Sequence, residues 1–246
     1  MAQIPTIQEM LEAGVHFGHQ TRRWNPRMKP YILTARNGIY VIDLEKTLEC
    51  LQRAVEKILR VRATGASVLF VGTKLTIQGA VREEATRVGM PYVTTRWLGG
   101  MLTNYQTIRK SIKKLEDIER MENEGVLADL TKKEASDLME QKTHLLDVFG
   151  GIRNMRALPG LVFVADAKTE QIALAEAKRL NIPTAAIVDT NTDPNLVDYP
   201  IPANDDAIKA VRLIAATIAN AVISGASAPV VSAPVAAAPV AAEVVA

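Results

Sequence analysis

The chain has 246 residues, enough for one large domain or for a domain with an insertion. Apolar residues make up 48% of it and aromatic residues only 4%, so a substantial core is expected and that core is aliphatic. The net charge of +2 excludes a globally basic protein, so any nucleic-acid binding must depend on local clusters of charge. The single cysteine, Cys50, excludes an internal disulfide and fits a reducing compartment.

The N-terminal segment begins with a predicted short helix and continues as a basic arm. Thr6 can cap the helix and Gly14 ends it. From His16 to Tyr40 the chain carries five Lys or Arg and no Asp or Glu, and Pro, Gly and Asn keep the arm, about residues 14–30, out of regular helix. Cations beside aromatic rings suit phosphates and unpaired bases, with a solvated basic loop as the alternative. The arm residues predicted to contact RNA are His16, His19, Arg22, Arg23, Trp24, Arg27 and Lys29.

Apolar strands then alternate with helices, which is the pattern of a parallel sheet covered on both faces. A predicted hairpin with Asn37-Gly38 at its turn precedes a long helix capped by Asp43. The predicted strands of the sheet lie at 67–72, 91–94, 161–165 and 185–188. The predicted helices lie at 43–62, 73–88, 169–180 and 205–223. The pattern therefore indicates an α/β fold.

A different pattern interrupts the alternation between residues 104 and 149. Apolar residues recur there at spacings of three and four within a highly charged sequence, and Gly125 divides it into two segments. Two such helices joined by a short loop predict an inserted antiparallel coiled-coil hairpin. The hairpin residues predicted to contact RNA are Asn104, Arg109, Lys110, Lys113 and Lys114.

The turn Gly72-Thr73-Lys74 is the most enzyme-like feature. A strand ends in glycine, and the pattern predicts a helix that begins at Thr73 with Lys74 in its first turn, an arrangement that can hold phosphate. The order Gly-Thr-Lys departs from the Walker pattern, and the three spaced glycines of a dinucleotide site are missing. A tight strand-to-helix turn is the alternative. Lys74 is nevertheless a candidate RNA contact.

Three further features involve polar or charged groups. Arg96 and Trp97 precede the hairpin, where Arg96 adds a candidate RNA contact and Trp97 can plug the hairpin base. His16 and His19 have a metal-like spacing, but two histidines without a third ligand are weak evidence, and no metal site is predicted. The span from 185 to 206 holds five aspartates and no Lys or Arg, so its carboxylates could coordinate Mg²⁺ and would repel RNA, which favours a position facing a protein neighbour or solvent.

The C-terminal segment contains no charged residue from Leu213 to Ala242. Its three evenly spaced prolines, Pro229, Pro234 and Pro239, would break a membrane-spanning helix. We therefore expect a helix that ends near Gly225, followed by a flexible Ala/Pro/Val tail at 226–246. No signal peptide is expected either, because the N-terminus has no basic region ahead of an apolar run.

Several stretches, taken together, closely resemble the bacterial small-subunit ribosomal protein family "S-two". The resemblance covers about residues 5–224 and lies in 13–21, 24–32, 69–74, 150–155, 187–194 and 199–206, and in Arg96-Trp-Leu-Gly-Gly-Met-Leu-Thr-Asn. The Leu158-Pro159-Gly160 segment departs from the Leu-Pro-Asp that is usual in the family.

The resemblance implies a flavodoxin-like doubly wound parallel sheet at 1–103 and 150–225, with an inserted coiled-coil hairpin at 104–149. It implies a structural constituent of the small ribosomal subunit that binds its ribosomal RNA and helps to recruit the mRNA-binding protein "S-one" for translation. The expected partners are that RNA and neighbouring ribosomal proteins. The protein is expected to be cytoplasmic, to have no cofactor, membrane association or enzymatic activity, and not to form a homo-oligomer.

An enzyme of the flavodoxin-like or sugar-phosphate-binding type is the alternative. It would use the Gly72-Thr73-Lys74 turn together with Asp189 and Asp193 on an acidic loop. Fold alone does not decide between the two functions. The sequence contains no evident nucleophile–base pair, complete phosphate loop or cofactor fingerprint, so the structural function is preferred.

Overall fold

The computed structural model describes residues 4–126 and 130–226. The first of two sheets is small and antiparallel, with the strand order β1-β3-β2. Helix α1 (Ile7–Glu12) precedes strands β1 (Phe17–Gln20), β2 (Ile32–Arg36) and β3 (Ile39–Ile42), with short 3₁₀ helices at Thr21–Arg23 and Pro26–Tyr31. The hairpin turn is confirmed, since Asn37 and Gly38 both have positive φ angles, 51° and 75°.

The second sheet has five parallel strands in the order β5-β4-β6-β7-β8. These strands are β4 (Val68–Val71), β5 (Tyr92–Val93), β6 (Leu161–Val164), β7 (Thr184–Val188) and β8 (Tyr199–Pro202). Numbered from the first strand of this sheet, the order is 2-1-3-4-5, which is the flavodoxin-like order with its topological switch between β4 and β6. The predicted fold class is therefore confirmed.

Helices cover both faces of the parallel sheet. They are α2 (Leu44–Ala63), α3 (Gln78–Arg87), α6 (Gln171–Arg179) and α7 (Ile208–Ala226), with α4 (Tyr105–Asn123) and α5 (Lys132–Phe149) in the inserted segment. Side chains alternate across each strand, so Phe70 and Phe163 belong to one buried cluster and Leu69 and Val162 to the other. The first cluster contains the buried faces of α2, α3 and α7, and the second contains α6 and the start of α4. As expected, the core is mainly aliphatic.

Helix α7 is long and apolar enough, by length and composition, to cross a membrane. It lies against α2 and α3, and 56% of its most apolar stretch is buried inside the protein. The helix is thus a core element of the α/β domain, and it is helical up to Ala226, the last described residue, so its predicted end near Gly225 stays a prediction. The predicted tail at 226–246 lies, beyond Ala226, outside the described residues.

The inserted segment contains two helices that contact each other. Thr131 caps α5 with a capping box, and a positive φ of 78° at Gly125 follows the end of α4. Lys142 on α5 forms an ion pair with Glu122 on α4. The two helices and the break between them match the predicted bounds, whereas coiled-coil packing and independence of the segment 104–149 stay predictions.

The structure corrects three local predictions. Helix α3 begins at Gln78, so Lys74 does not lie in the first turn of a helix, because residues 72–74 have no regular structure and residues 75–77 form a turn. Strand β1 lies within the arm that was expected to be irregular, and β8 carries two prolines at an edge of the sheet, where proline is tolerated. Both strands were missed because neither has an apolar run that stands out from its surroundings.

Candidate nucleic-acid interface

The basic arm is attached to the carboxyl end of the parallel sheet. The amide of His19 donates to Oγ1 of Thr190 at 2.9 Å, and the amide of Asn25 donates to the carbonyl of Thr190 at 2.7 Å. Gly18 permits this approach, because a Cβ there would lie 2.6 Å from Cγ2 of Thr190. The arm is thereby held in a defined position beside the loop that follows β7.

Three of the arm cations are exposed and free of carboxylate partners among the described residues. They are Arg22, Arg23 and Lys29. The guanidinium of Arg22 contacts only the side-chain oxygen of Gln20, at 3.0 Å. Arg27 is also exposed but forms an ion pair with Asp193, so part of its charge is already neutralised by the protein.

Trp24 is half-buried and packs against Tyr40 of strand β3, with the ring centroids 5.2 Å apart and tilted by 45°. This contact ties the arm to the small antiparallel sheet. Trp24 was predicted to contact RNA, and its partial exposure leaves that prediction open. The Tyr40 contact shows that the ring also has a structural role.

His16 and His19 do not share a site. Three residues apart along an extended segment, they project to opposite sides. His16 packs on the ring of Phe17, at a centroid distance of 4.0 Å, and burial lowers its pKa. His19 contacts Asp189 through Nδ1 at 3.0 Å and Asp206 through Nε2 at 3.6 Å. The hydrogen bond with Asp189 raises the pKa of His19, although burial opposes that effect.

Lys74 and His19 contact one group of aspartates, which we call the acidic cluster. It consists of Asp166, Asp189, Asp205 and Asp206. The Nζ of Lys74 is 2.7 Å from Asp206, 2.8 Å from Asp205 and 3.4 Å from Asp166. Burial alone would lower the pKa of Lys74, but the hydrogen bonds with Asp205 and Asp206 raise it overall. Burial, together with the carboxylates of Asp166 and Asp189, raises the pKa of Asp205 to about 6. The cluster therefore engages Lys74 with protein carboxylates and surrounds it with negative charge.

This cluster occupies the switch point at which flavodoxin-like sheets bind ligands. Burial raises the pKa of Glu170, which is 2% exposed and accepts a hydrogen bond of 2.8 Å from the amide of Thr73. The carboxylate of Glu170 therefore already accepts the hydrogen bond of the Thr73 amide, which a bound phosphate group would need. His19, Asp205 and Asp206 each offer one ligand atom within 4.8 Å of the others, a spacing suited to a cation, and Nζ of Lys74 already contacts both aspartates.

Arg96 and Asn104 flank a loop that one carboxylate organises. Glu176 of α6 is 8% exposed and accepts hydrogen bonds from the indole of Trp97, the hydroxyl of Thr103 and three backbone amides between residues 100 and 103. Burial would raise the pKa of Glu176, but these hydrogen bonds lower it overall. Arg96 and Asn104 are exposed at the two ends of this loop. Trp97 is buried, as its predicted place at the hairpin base requires.

Glu176 was missed in the sequence, although a signal was present. It occupies a buried position on α6 together with Ala173, Leu174 and Ala177, where the period predicts an apolar residue. A carboxylate on a buried stripe needs hydrogen-bond donors from elsewhere in the fold. The helical pattern could have identified Glu176 as a buried carboxylate, but it could not have identified the loop that donates the hydrogen bonds to it.

The cations predicted on the hairpin are exposed on one side of α4, because positions 109, 110, 113 and 114 span less than half of the helix circumference. Arg109, Lys110 and Lys113 line a groove, and Lys114 does not. Arg153 and Arg156, which follow α5, line the opposite side of that groove and were missed. Their sequence gives no signal, because only the packing of the segment 150–156 against α4 brings them there.

The structure therefore separates the candidate residues into two exposed cationic surfaces and one acidic cluster. The first surface is the arm and the second is the face of α4. The acidic cluster contacts His19 and Lys74. A model of the ribosomal protein S2 family matches residues 10–225. The chain belongs to the ribosomal protein S2 family.

Membership in the ribosomal protein S2 family makes this chain a structural, non-enzymatic protein of the small ribosomal subunit, with a role in translation. The family match extends over the arm from residue 10, the parallel sheet, the inserted helices and α7. The alternative of an enzyme at the Gly72-Thr73-Lys74 turn is not supported, since the family is non-enzymatic and Glu170 occupies the amide of Thr73.

Proposed function

We propose that this ribosomal protein binds small-subunit ribosomal RNA through exposed cations on its arm and on its inserted helices. The observation that carries the proposal is the state of Arg22, Arg23 and Lys29, which are exposed and lack a carboxylate partner among the described residues. An isolated cation gains little from its own protein and can neutralise a phosphate without first breaking an ion pair. Arg96 offers a further exposed cation near the base of the inserted helices.

The attachment of the arm supports the same function. An unattached basic segment would lose conformational entropy when it bound RNA. Here the contacts of His19 and Asn25 with Thr190 hold the arm before any ligand is present. His19 and Lys74 contribute to that scaffold through carboxylates, and their direct contact with RNA stays a prediction.

The experiment that tests this function measures RNA binding as a function of salt. Replacing Arg22, Arg23 and Lys29 with Ala should flatten the slope of log K against log salt by about two to three units, since each neutralised phosphate contributes about −0.9 on a duplex and about −0.7 on a single strand. A fragment of the small-subunit ribosomal RNA serves as ligand, and the full chain is used.

A control variant removes the same charge elsewhere. Arg53, Arg60 and Arg212 are exposed cations on α2 and α7, and each already has a carboxylate partner at 2.8–3.7 Å. Their replacement with Ala should change the slope by less than about one unit. Equal slopes for the arm variant and the unmodified chain would refute phosphate contact by the arm.

We further propose that the protein acts within the cytoplasmic ribosome as a single copy and helps to hold the "S-one" protein there. The support for this step is the resemblance to the family. Small subunits assembled without this chain should carry less "S-one" protein than complete subunits, measured by quantitative mass spectrometry. Unchanged amounts of that protein would contradict the proposal.

A further inference from the structure

A groove of about 590 Å³ runs between α4 and the segment that follows α5. Gln106, Arg109, Lys110 and Lys113 line it from α4, and Arg153 and Arg156 line it from the other side. The groove is separate from the basic arm, which does not contribute to its lining. Its walls come from two segments that are more than 30 positions apart in sequence, so the groove exists only in the folded protein.

The charge in this groove is strongly unbalanced. Five cations line it, and Glu116 is the only carboxylate in the lining. Glu116 and Glu119 both pair with Arg153, at 4.0 Å and 2.6 Å. Arg109, Lys110, Lys113 and Arg156 have no carboxylate partner among the described residues. Four positive charges therefore line a concave surface without a carboxylate to neutralise them, and such a surface attracts anions.

Specific contacts build the groove. The hydroxyl of Tyr105 at the start of α4 donates to the carbonyl of Met155, and Nη1 of Arg109 lies 3.5 Å from the carbonyl of Arg156. Behind them, Gly151 passes so close to strand β5 that a Cβ would lie 2.2 Å from the carbonyl oxygen of Tyr92. The segment that carries Arg153 and Arg156 is thus held at both ends, so its cations are in place before a ligand binds.

The shape of the groove favours phosphates over bases. Arg109 and Lys113 are four residues apart on a helix, and therefore lie about 6 Å apart along its axis. That interval is close to the spacing of successive phosphates on one RNA strand. No aromatic side chain lines the groove, so it offers no surface on which an unpaired base could stack.

We infer that this groove binds the phosphate backbone of double-stranded RNA, through Arg109, Lys113 and Arg156. The inference rests on the proposed function, because it specifies one place and one form of RNA for a protein that binds ribosomal RNA. A helical surface of fixed cations recognises a duplex by its shape and phosphates, and does so with little dependence on base sequence.

The test compares two triple variants of the full chain. The first replaces Arg109, Lys113 and Arg156 with Ala. The matched control replaces Lys168, Lys178 and Lys209, which are also exposed, lie outside the groove and have no carboxylate partner among the described residues. Thermal melting first establishes that both variants are folded.

Binding is then measured with a short blunt-ended RNA duplex, with a second duplex of scrambled sequence and with one isolated strand, over a range of salt concentrations. The groove variant should flatten the duplex slope by about two to three units, and the control by less than about one unit. The two duplexes should give the same slope. When Arg22, Arg23 and Lys29 of the arm are replaced with Ala, the groove substitutions should still flatten the duplex slope by the same amount.

Each other outcome overturns the inference in a distinguishable way. Equal losses in the two triple variants would show a diffuse effect of net charge rather than a groove. A loss confined to the isolated strand would exclude the duplex as the ligand. An unchanged slope in the groove variant, with arm-dependent binding still present, would reject the groove and leave the proposed function standing. No RNA binding by the unmodified chain would reject both.

Discussion

The inserted helices are buried in two different ways. Their root, defined as residues 97–112 and 145–152, belongs to the second core cluster of the sheet, because Trp97, Ile108, Ile112 and Phe149 pack there with Leu69. None of the described residues of their tip, defined as residues 113–144, belongs to that cluster. Leu115 and Ile118 in the tip are buried, with 0% and 3% exposure, but they belong to neither core cluster.

This difference means that one helix, α4, takes part in two units of packing. Its first two turns are stabilised by the parallel sheet and by the loop that Glu176 holds. Its later turns are stabilised mainly by α5, through a narrow apolar stripe and the Glu122–Lys142 ion pair. Regions with fewer buried contacts open locally at a lower free energy than the global core. The root should therefore unfold with the sheet, and the tip before it.

Among the single substitutions, the largest effect is expected for Trp97→Ala in the root. The side chain is 8% exposed and donates to Glu176 at 3.1 Å, so its removal leaves both a cavity and a carboxylate with one donor fewer. The free energy of unfolding should fall by about 3–5 kcal/mol. Trp24→Ala, a half-buried counterpart on the arm, should cost clearly less. Chemical denaturation measures both, and equal losses would remove the distinction between the two tryptophans.

The next prediction compares two apolar residues of α4, one on each side of the boundary between the root and the tip. Ile112→Ala in the root should lower the global free energy of unfolding by about 2–5 kcal/mol. Leu115→Ala in the tip should instead speed hydrogen exchange of amides on α4 and α5, with a smaller change in global stability. Hydrogen exchange followed by mass spectrometry reads both effects. If Leu115→Ala lowers global stability as much as Ile112→Ala does, the tip and root form one unit.

A pH-dependent effect is expected for Glu176, which holds the loop at the root. Its pKa is lower in the folded chain than in the unfolded chain, so its stabilisation is present above the ordinary glutamate pKa and is lost as the pH falls through the folded pKa. Glu176→Gln should cost about 1–3 kcal/mol at neutral pH, because an amide accepts fewer of the five hydrogen bonds.

The difference between this variant and the unmodified chain should shrink on acidification, since the protonated carboxyl then resembles the amide. Denaturant titrations at neutral and acidic pH measure it. Glu140→Gln, an exposed position on the tip, serves as the control and should change stability little at either pH. A constant difference across the pH range would mean that Glu176 does not act through its charge.

The smallest effect on the sheet is expected from removing the tip. Replacement of residues 113–144 by a short Gly linker should leave cooperative melting of the α/β domain nearly unchanged, because the core cluster keeps Ile108, Ile112 and Phe149. A longer deletion, of residues 105–149, removes those side chains and should unfold the domain. Differential scanning calorimetry compares the two. A folded domain after the longer deletion would show that the root is dispensable.

Much of the fold could be predicted because its signals are local. The apolar runs at β4, β6 and β7 are buried on both faces, and a spacing of three and four marks α2 and α4, so each element is recognisable within its own segment. Turn chemistry located the Asn37-Gly38 hairpin in the same way. The start of α3 was misplaced because Thr73 is a plausible cap, whereas its amide in fact donates to Glu170, 97 residues away.

The candidate sites depended on contacts that no local pattern contains. The sequence by itself determined that the arm is basic, that the segment 185–206 is acidic and that α4 carries many lysines. Only the tertiary structure decided that His19 and Lys74 meet the aspartates, that Glu176 holds the loop at 97–103, and that Arg153 and Arg156 face Arg109. Helix and strand periods arise from short-range backbone geometry, and so they are visible in the sequence. The partner of a buried charge is set by which segments pack together, which is a property of the whole chain.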